Sequence, residues 1–436
     1  MIGSHAVVRK VLPALAGALL LLAVGGLPAG AKTAPPASPA ARSAAQLAGS
    51  GARPAGCAAP SGPRVARCYL AAKPAPAAAA AAAARAGRAR PAACTVNASA
   101  GWSPCNLQSA YKLTSLSATH GKNQTVAVVD AFDDPNAEAD LGTYRSNFGL
   151  APCTSANGCF EKVNQDGVQG IYPAGDMGWG QEISLDLDMV SAICPNCHIL
   201  LVEANSSGFG DMFTAEQQAI TLGAHVVSNS WGTGEFSGEN DFDGTLSAQG
   251  VAITFSSGDG AYQAGVQYPS ASPYVTSVGG TILAPAASAR GWSEKTWVTP
   301  GSPPTQGSGS GCSGFEAKPS WQTDSGCADR TTADVSAVAA NVLGYDSFES
   351  DGGGWFFFFG TSVSSPLTAA VYGLAGNASA QTVAPASLAY ANPAKLFDIK
   401  SGKATGTCAP STYLCKAGPG YDGPTGLGTP KGIGAY

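Results

Sequence analysis

Residues 181–204 read QEISLDLDMVSAICPNCHILLVEA. Gln181 to Ile193 reads as a helix, and His198 to Ala204 is a nearly unbroken apolar, β-branched run of the kind found in a buried strand. The same alternation extends in both directions. Thr125 to Phe132, His225 to Trp231, Val251 to Ser256 and Tyr274 to Val278 are further buried strands, and Asp211 to Leu222 and Asp241 to Gln249 are further helices. Continuous apolar strands that alternate with helices predict an α/β fold, its mostly parallel central sheet covered by helices on both faces. Sites in such folds gather at the carboxyl ends of the strands. Pro300 to Gly314 is read as a loop, and Asp351 to Gly354 as a glycine-rich turn.

The chain has 436 residues, 44% hydrophobic and 12% charged, with 56 Gly. Such a chain buries a large core, is too apolar for wholesale disorder, and carries no coiled-coil or collagen repeat. His5, Arg9 and Lys10 precede an apolar stretch from Val11 to Leu27 and the small-residue pattern Ala29-Gly30-Ala31. This is the pattern of a secretory signal peptide spanning 1–31, removed on export, so the expectation is a secreted, extracellular protein with no stable membrane anchor after cleavage. Residues 32–93 are rich in Ala and Pro and read as a leader or short pro-segment, and 94–436 as the folded domain. Of 24 basic and 29 acidic residues, 11 basic and no acidic ones fall within 1–93, which leaves 13 against 29 in the remainder, a formal charge of −16. An acidic domain repels phosphates, which argues against nucleic acid as a partner. It suits work at low pH, where protonation relieves self-repulsion.

Secretion makes the 12 cysteines disulfide candidates. They fall in sequence-adjacent pairs: Cys57 with Cys68, Cys94 with Cys105, Cys153 with Cys159, Cys194 with Cys197, Cys312 with Cys327 and Cys408 with Cys415. Cys194-Pro-Asn-Cys197-His198 also fits the attachment pattern of a c-type haem. A small structural disulfide is preferred there, because the segment already joins a helix to a strand.

Gly360-Thr-Ser-Val-Ser-Ser-Pro366 places Ser362 where a helix begins, with free N–H groups nearby and Pro366 in a tolerated first turn. That is a setting for a nucleophilic serine, although a plain helix cap has the same local look. A serine needs a base, usually histidine. Of the four histidines, His5 lies in the signal peptide, His198 and His225 in strands and His120 in a loop, so the base must be another group. Glu182 and Asp186 lie four apart, on one helix face, where two carboxyls in a cleft can share a proton. On an outer face they would simply be solvated. Asp188 points elsewhere and reads as structural. Asp259, in Ser256-Ser-Gly-Asp-Gly-Ala261 after a buried strand, is either a turn residue or, when protonated, a donor to a developing oxyanion.

Glu182-x-x-x-Asp186, the segment around Asp259, Tyr268-Pro-Ser-Ala-Ser-Pro-Tyr-Val-Thr-Ser-Val-Gly-Gly-Thr281, and Gly360-Thr-Ser362 with Ser364 and Pro366 occur here in order. Together they resemble the sedolisin (serine-carboxyl peptidase) family, acidic peptidases with a subtilisin-like fold, from about Trp102 to Pro430. The resemblance implies Ser362 as nucleophile, Glu182 as general base and acid, Asp186 as its partner, and Asp259 with the Ser362 N–H as oxyanion hole. It places Asp130 and Trp231 in an extended hydrogen-bond network, and Ser230, Trp231 and Gly232 on a strand that lines the substrate backbone. It also implies a calcium site from Asp398, Ile399, Gly418, Gly420 and Asp422, an all-oxygen set suited to that ion. Protein or peptide substrates and a monomeric enzyme follow. Two departures stand out: the leader is short where the family carries a folded pro-domain, and Phe359 stands where a small residue is usual, which would either reshape the non-primed subsites or block them. A neutral subtilase using Asp130, Ser362 and a histidine, and a non-catalytic secreted binding protein on a peptidase fold, are the alternative readings.

Overall fold

A computed structural model describes residues 57, 61–76, 78, 79, 81, 94, 96–299, 306–348, 353–376, 383–404 and 413–436. The expected signal peptide, most of the leader and Cys408 lie outside these residues. The first half contains β1 (Arg67–Cys68), β2 (Ala71–Pro74), β3 (Thr125–Ala131), α1 (Ala137–Phe148), β4 (Phe160–Asn164), α2 (Met177–Ile193), β5 (His198–Ala204), α3 (Phe209–Thr221), β6 (Val226–Asn229) and β7 (Trp231–Gly234). The second contains β8 (Ala252–Ser256), β9 (Gln267–Tyr268), β10 (Thr276–Pro285), β11 (Trp292–Thr296), β12 (Val335–Val338), β13 (Ala340–Asp346), β14 (Gly354–Phe359) and α4 (Thr361–Ala375).

The central sheet has the order β11-β10-β8-β6-β3-β5-β4, with β12 also paired to β10. Every pairing in it is parallel except that of β11 with β10. This is the mostly parallel sheet of a subtilisin-like α/β fold. Val126 to Val129 in its middle are fully buried, as a strand covered on both faces must be. Helices α2 and α4 pack together over β3, β6 and β8, and α3 covers β3 and β5 from the other side.

Three elements depart from the sequence reading, each for a local reason. The strand expected from His225 to Trp231 breaks after Asn229, and β7 leaves the sheet to pair with β1 and β9. The carbonyls at the break are already engaged: that of Asn229 accepts the Ser365 hydroxyl at 3.0 Å and that of Ser230 the Tyr69 N–H at 3.1 Å. The helix expected over 241–249 shrinks to a 3₁₀ turn, Glu239–Phe242, and one α turn, Asp243–Leu246, since Gly244 and Gly250 remove helical propensity. Strand β10 runs on to Pro285 because β8, β12 and β11 pair with it in succession.

Disulfides join Cys57 to Cys68, Cys94 to Cys105, Cys153 to Cys159, Cys194 to Cys197 and Cys312 to Cys327. Both sulfurs of the Cys194 pair are consumed by that bond, so the haem-attachment pattern has no thiols to offer. No helix among the described residues is long and apolar enough to cross a membrane.

Candidate active site

Helix α4 is aimed by its first turn. Gly360 caps it at φ 126°, a conformation that favours glycine. The Ser364 hydroxyl donates to the carbonyls of Ala337 and Val338 at 3.1 Å each, which fixes the helix start on β12. Helix α4 begins at Thr361, so Pro366 lies inside it rather than in the first turn. Its missing N–H leaves the Ser362 carbonyl without the usual helical donor. The Ser230 hydroxyl approaches that carbonyl at 3.5 Å. Ser362 itself is fully buried.

Because α2 packs against both α4 and β3, one of its faces brings Glu182 and Asp186 beside Ser362 and beside Asp130 at the end of β3. All three carboxyls are fully buried. Burial, then the charges of Asp130 and Asp259, push Glu182 well above the usual carboxyl range, while its polar neighbours Ser362 and Asp186 hold it down in part. Burial and Glu182 raise Asp186, and burial with Asp186 and Glu203 raises Asp130. Three buried carboxyls in mutual contact cannot all ionise, so the cluster retains protons where isolated carboxyls would lose them. Asp186 is held by the Ser230 hydroxyl at 2.8 and 2.9 Å. Neither oxygen of Glu182 nor of Asp130 has a hydrogen-bond partner among the described residues, and the Ser362 hydroxyl donates to the Ser230 carbonyl at 3.4 Å.

Asp259 follows β8 through Ser257 and Gly258. Its Oδ1 accepts the Thr361 N–H at 2.7 Å and the Thr361 hydroxyl at 2.9 Å. Burial still outweighs these bonds and lifts its carboxyl to about 7. The other oxygen, Oδ2, lies 2.7 Å from the point a Gly360 Cβ would occupy. A serine hydroxyl, a proton-sharing carboxyl pair and a neutral acid beside a backbone N–H form a set able to activate an alcohol and stabilise an oxyanion.

The other expected residues divide. Ser230 and Gly232 border the cleft, and β7 offers its backbone there. Trp231 lies outside the carboxyl cluster: its indole N–H donates to the Val129 carbonyl at 2.9 Å, and its ring packs on Phe209, Phe213 and Phe255. Asp188 is structural, accepting the Tyr345 N–H at 2.9 Å. None of the three described histidines belongs to the site. His198 opens β5, and the ring of His225 accepts the N–H of Thr125 at the start of β3, both at the amino edge of a sheet whose carboxyl edge holds Asp130. His120 is exposed beside Thr119. The sequence reading missed Glu203, which pairs in register with Asp130, is raised to about 8 by burial and meets Lys162 at 3.0 Å. The signal was available: a carboxylate near the carboxyl end of an otherwise apolar strand.

Far from Ser362 in sequence, Asp398 and Asp422 approach each other across a turn. Asp398 accepts the Gly420 N–H at 3.1 Å and Asp422 the Gly418 N–H at 2.9 Å. Burial chiefly, and Asp398 in part, lift Asp422 to about 7.

A family model for the subtilases, peptidase family S8, matches residues 121–392, and the chain belongs to that family. Within it the chain is of the sedolisin type. It is 28% identical over 364 residues to kumamolisin of Bacillus sp. (strain MN-32), covering 77% of this chain and 63% of that protein. It is 27% identical over 379 residues to sedolisin of Pseudomonas sp. (strain 101), covering 76% and 60%. The chain thus spans somewhat over half the length of these relatives. A solved structure of Pseudomonas sedolisin, a serine-carboxyl proteinase complexed with two molecules of pseudo-iodotyrostatin, superposes with a TM-score of 0.63 at 26% identity, covering 76% of this chain and 95% of that one.

Proposed function

We propose that the chain is a secreted, monomeric endopeptidase that hydrolyses protein or peptide substrates at acidic pH. The observation that carries this reading is the burial of Glu182 and Asp186 together beside Ser362, with no histidine at the site among the described residues. In the proposed mechanism Glu182 removes the Ser362 proton as Oγ attacks the substrate carbonyl. Asp186, anchored by Ser230, shares a proton with Glu182. Asp259 in its neutral form and the Ser362 N–H hold the oxyanion. Glu182 then gives its proton to the leaving amine, and water hydrolyses the acyl-enzyme. The absence of a histidine from the site disfavours a neutral subtilase, and the placement of Ser362, Glu182, Asp186 and Asp259 together disfavours a non-catalytic binding protein.

The kumamolisin and sedolisin resemblance implies calcium, and the residues suit it. Asp398 and Asp422 are two carboxylates whose mutual repulsion a hard cation relieves, and the Ile399, Gly418 and Gly420 carbonyls complete an oxygen-only set. Bound there, calcium would tie the C-terminal loops together, remote from the chemistry. The export signal in residues 1–31 and the five disulfides among the described residues support secretion.

The test is hydrolysis of a denatured protein at pH 4 by the wild type, Ser362→Ala and Glu182→Gln. Both variants should fold and lose roughly 10⁴-fold in turnover, the scale for removing a member of a catalytic triad. Retained turnover in Glu182→Gln would refute the assignment of the base.

A further inference from the structure

The string of buried carboxyls that begins at Glu182 does not stop at Asp130. Asp130 of β3 and Glu203 of β5 stand opposite each other on neighbouring parallel strands, so their side chains share one face of the sheet. On β4, the edge strand beyond β5, Lys162 pairs with Leu201, two residues before Glu203, and therefore lies on that same face. Its ammonium donates to Glu203 Oε1 at 3.0 Å, to the Asp134 carbonyl at 2.6 Å and to Asp133, and stands 4.4 Å from the centre of the Tyr172 ring. Glu203 Oε1 also accepts the Asp134 N–H at 3.0 Å. Its Oε2 is buried with no hydrogen-bond partner among the described residues, like both oxygens of Asp130. Beyond Lys162 lies a surface pocket of about 790 Å³, lined by Asp133, Glu138, Glu161, Lys162 and Tyr172 among others.

Charge is unevenly distributed along this string. Glu182, Asp186, Asp130 and Glu203 are all fully buried, and among the described residues Lys162 is the one cation set against any of them. Burial lowers the Lys162 ammonium, but the charges of Glu203 and Asp133 outweigh it and hold the group above its usual range, so it is cationic throughout the acid range. The other titratable groups that face this end of the string are acids. Asp134, lifted to about 7 chiefly by burial, accepts the Ser184 hydroxyl of α2 at 3.2 Å. Asp140 of α1 and Asp346 of β13 act on Asp134 in turn. Glu138 and Glu161 line the pocket, where Ser155 and Gln169 donate to them.

We propose, resting on the peptidase reading above, that Lys162 is a positioning residue of the reaction: its ammonium, acting through Glu203 and Asp130, sets how readily the buried string gives up the proton that Glu182 must lose to serve as base. A positive charge favours the ionised form of every carboxyl near it. Two strand spacings, about 10 Å, separate β4 from β3. One charge at that range, in an effective dielectric near ~20, moves a carboxyl by about one pH unit. Asp133 cancels part of that charge, which leaves a net effect of about half a unit to one unit. Lys162 touches no substrate and takes no proton from Ser362; it extends the working range toward low pH. Asp259, which follows β8 and has no contact with this string beyond Glu182, keeps control of the alkaline limb.

The experiment records kcat/KM on a quenched fluorescent peptide from pH 2 to 9 for the wild type, Lys162→Met, Lys162→Arg and Asp133→Asn. Lys162→Met should move the acid limb up by about 0.5 to 1 unit, a loss of roughly three- to tenfold below the limb, with the plateau and the alkaline limb in place. Lys162→Arg keeps the charge and should keep the wild-type limb. Asp133→Asn removes the opposing charge at the pocket wall and should move the acid limb down; this arm decides alone if Lys162→Met fails to fold. A lysine that only braces β4 against the Asp133 loop would change the rate at every pH alike and leave the limbs where they are. Acid limbs that coincide with the wild type in Lys162→Met or Asp133→Asn, that move the same way in both, or that shift equally in Lys162→Arg and Lys162→Met overturn this proposal and leave the peptidase reading standing. A wild type without turnover at any pH overturns both.

Discussion

Replacing Asp259 separates the charge of the oxyanion acid from its hydrogen bond. In the wild type its carboxyl, raised to about 7 by burial, is neutral in acid and ionised above that pH. An ionised Asp259 repels the oxyanion it should support. Protonation governed by a value of about 7 falls from roughly 99% at pH 5 to roughly 1% at pH 9, so this group alone should cost about 100-fold in kcat/KM across that interval. In Asp259→Asn the amide oxygen can accept the Thr361 N–H and hydroxyl as Oδ1 does, at 2.7 and 2.9 Å, and the amide nitrogen stands where Oδ2 faces the cleft. The variant should keep activity at pH 5 within about tenfold and lose the alkaline limb near pH 7. Asp259→Ala should lose 10²- to 10³-fold at pH 5, the cost of one oxyanion donor, and the gap to the wild type should close above pH 7, where the wild type has itself lost the neutral acid. The assay is kcat/KM on a quenched fluorescent peptide from pH 3 to 9. An Asn variant with the wild-type limb, or an Ala variant of undiminished activity, would refute the assignment.

Other consequences reach stability and the cation. Glu216 is fully buried on α3 and raised by burial to about 8. A carboxyl raised on folding holds its proton in the native state longer than in the unfolded one, so its stabilisation is complete below about pH 4.5 and is lost as pH rises through about 8. Chemical denaturation should show the wild type losing about 4 kcal/mol relative to Glu216→Gln between pH 4.5 and 8; parallel curves would sink the idea. Millimolar calcium should raise the Tm of the wild type, by the equivalent of about 2.7 kcal/mol at a hundredfold excess over Kd. Asp422→Asn should abolish that shift, and an equal shift in both proteins would place the ion elsewhere.

The parallel sheet was legible because β3, β5 and β8 are apolar through their middles, a pattern that a doubly covered strand needs. Glu182 and Asp186 were legible as a pair because helical spacing alone puts them on one face. Their companion Glu203 was not, since its approach to Asp130 is made by strand register rather than by nearness in sequence. Trp231 was assigned to the carboxyl network by resemblance, but the turn after Asn229 points its indole at Val129 instead. Pro366 was placed in a first turn because the position of Gly360 as helix cap depends on a backbone angle that sequence does not print. The leader was the hardest to read. Its pairing with β7 and β14 uses main-chain groups, so Ala71, Ala72 and Pro74 carry no alternation to betray a strand.

The central claim, catalysis by carboxyls without histidine, is tested most directly by the pH–rate profile of the wild type from pH 3 to 9 beside Ser362→Ala. The account predicts an optimum in acid, a fall above about pH 7 as Asp259 ionises, and a loss of roughly 10⁴-fold in the variant. An optimum at neutral or alkaline pH, or turnover that survives the loss of Ser362, would contradict it.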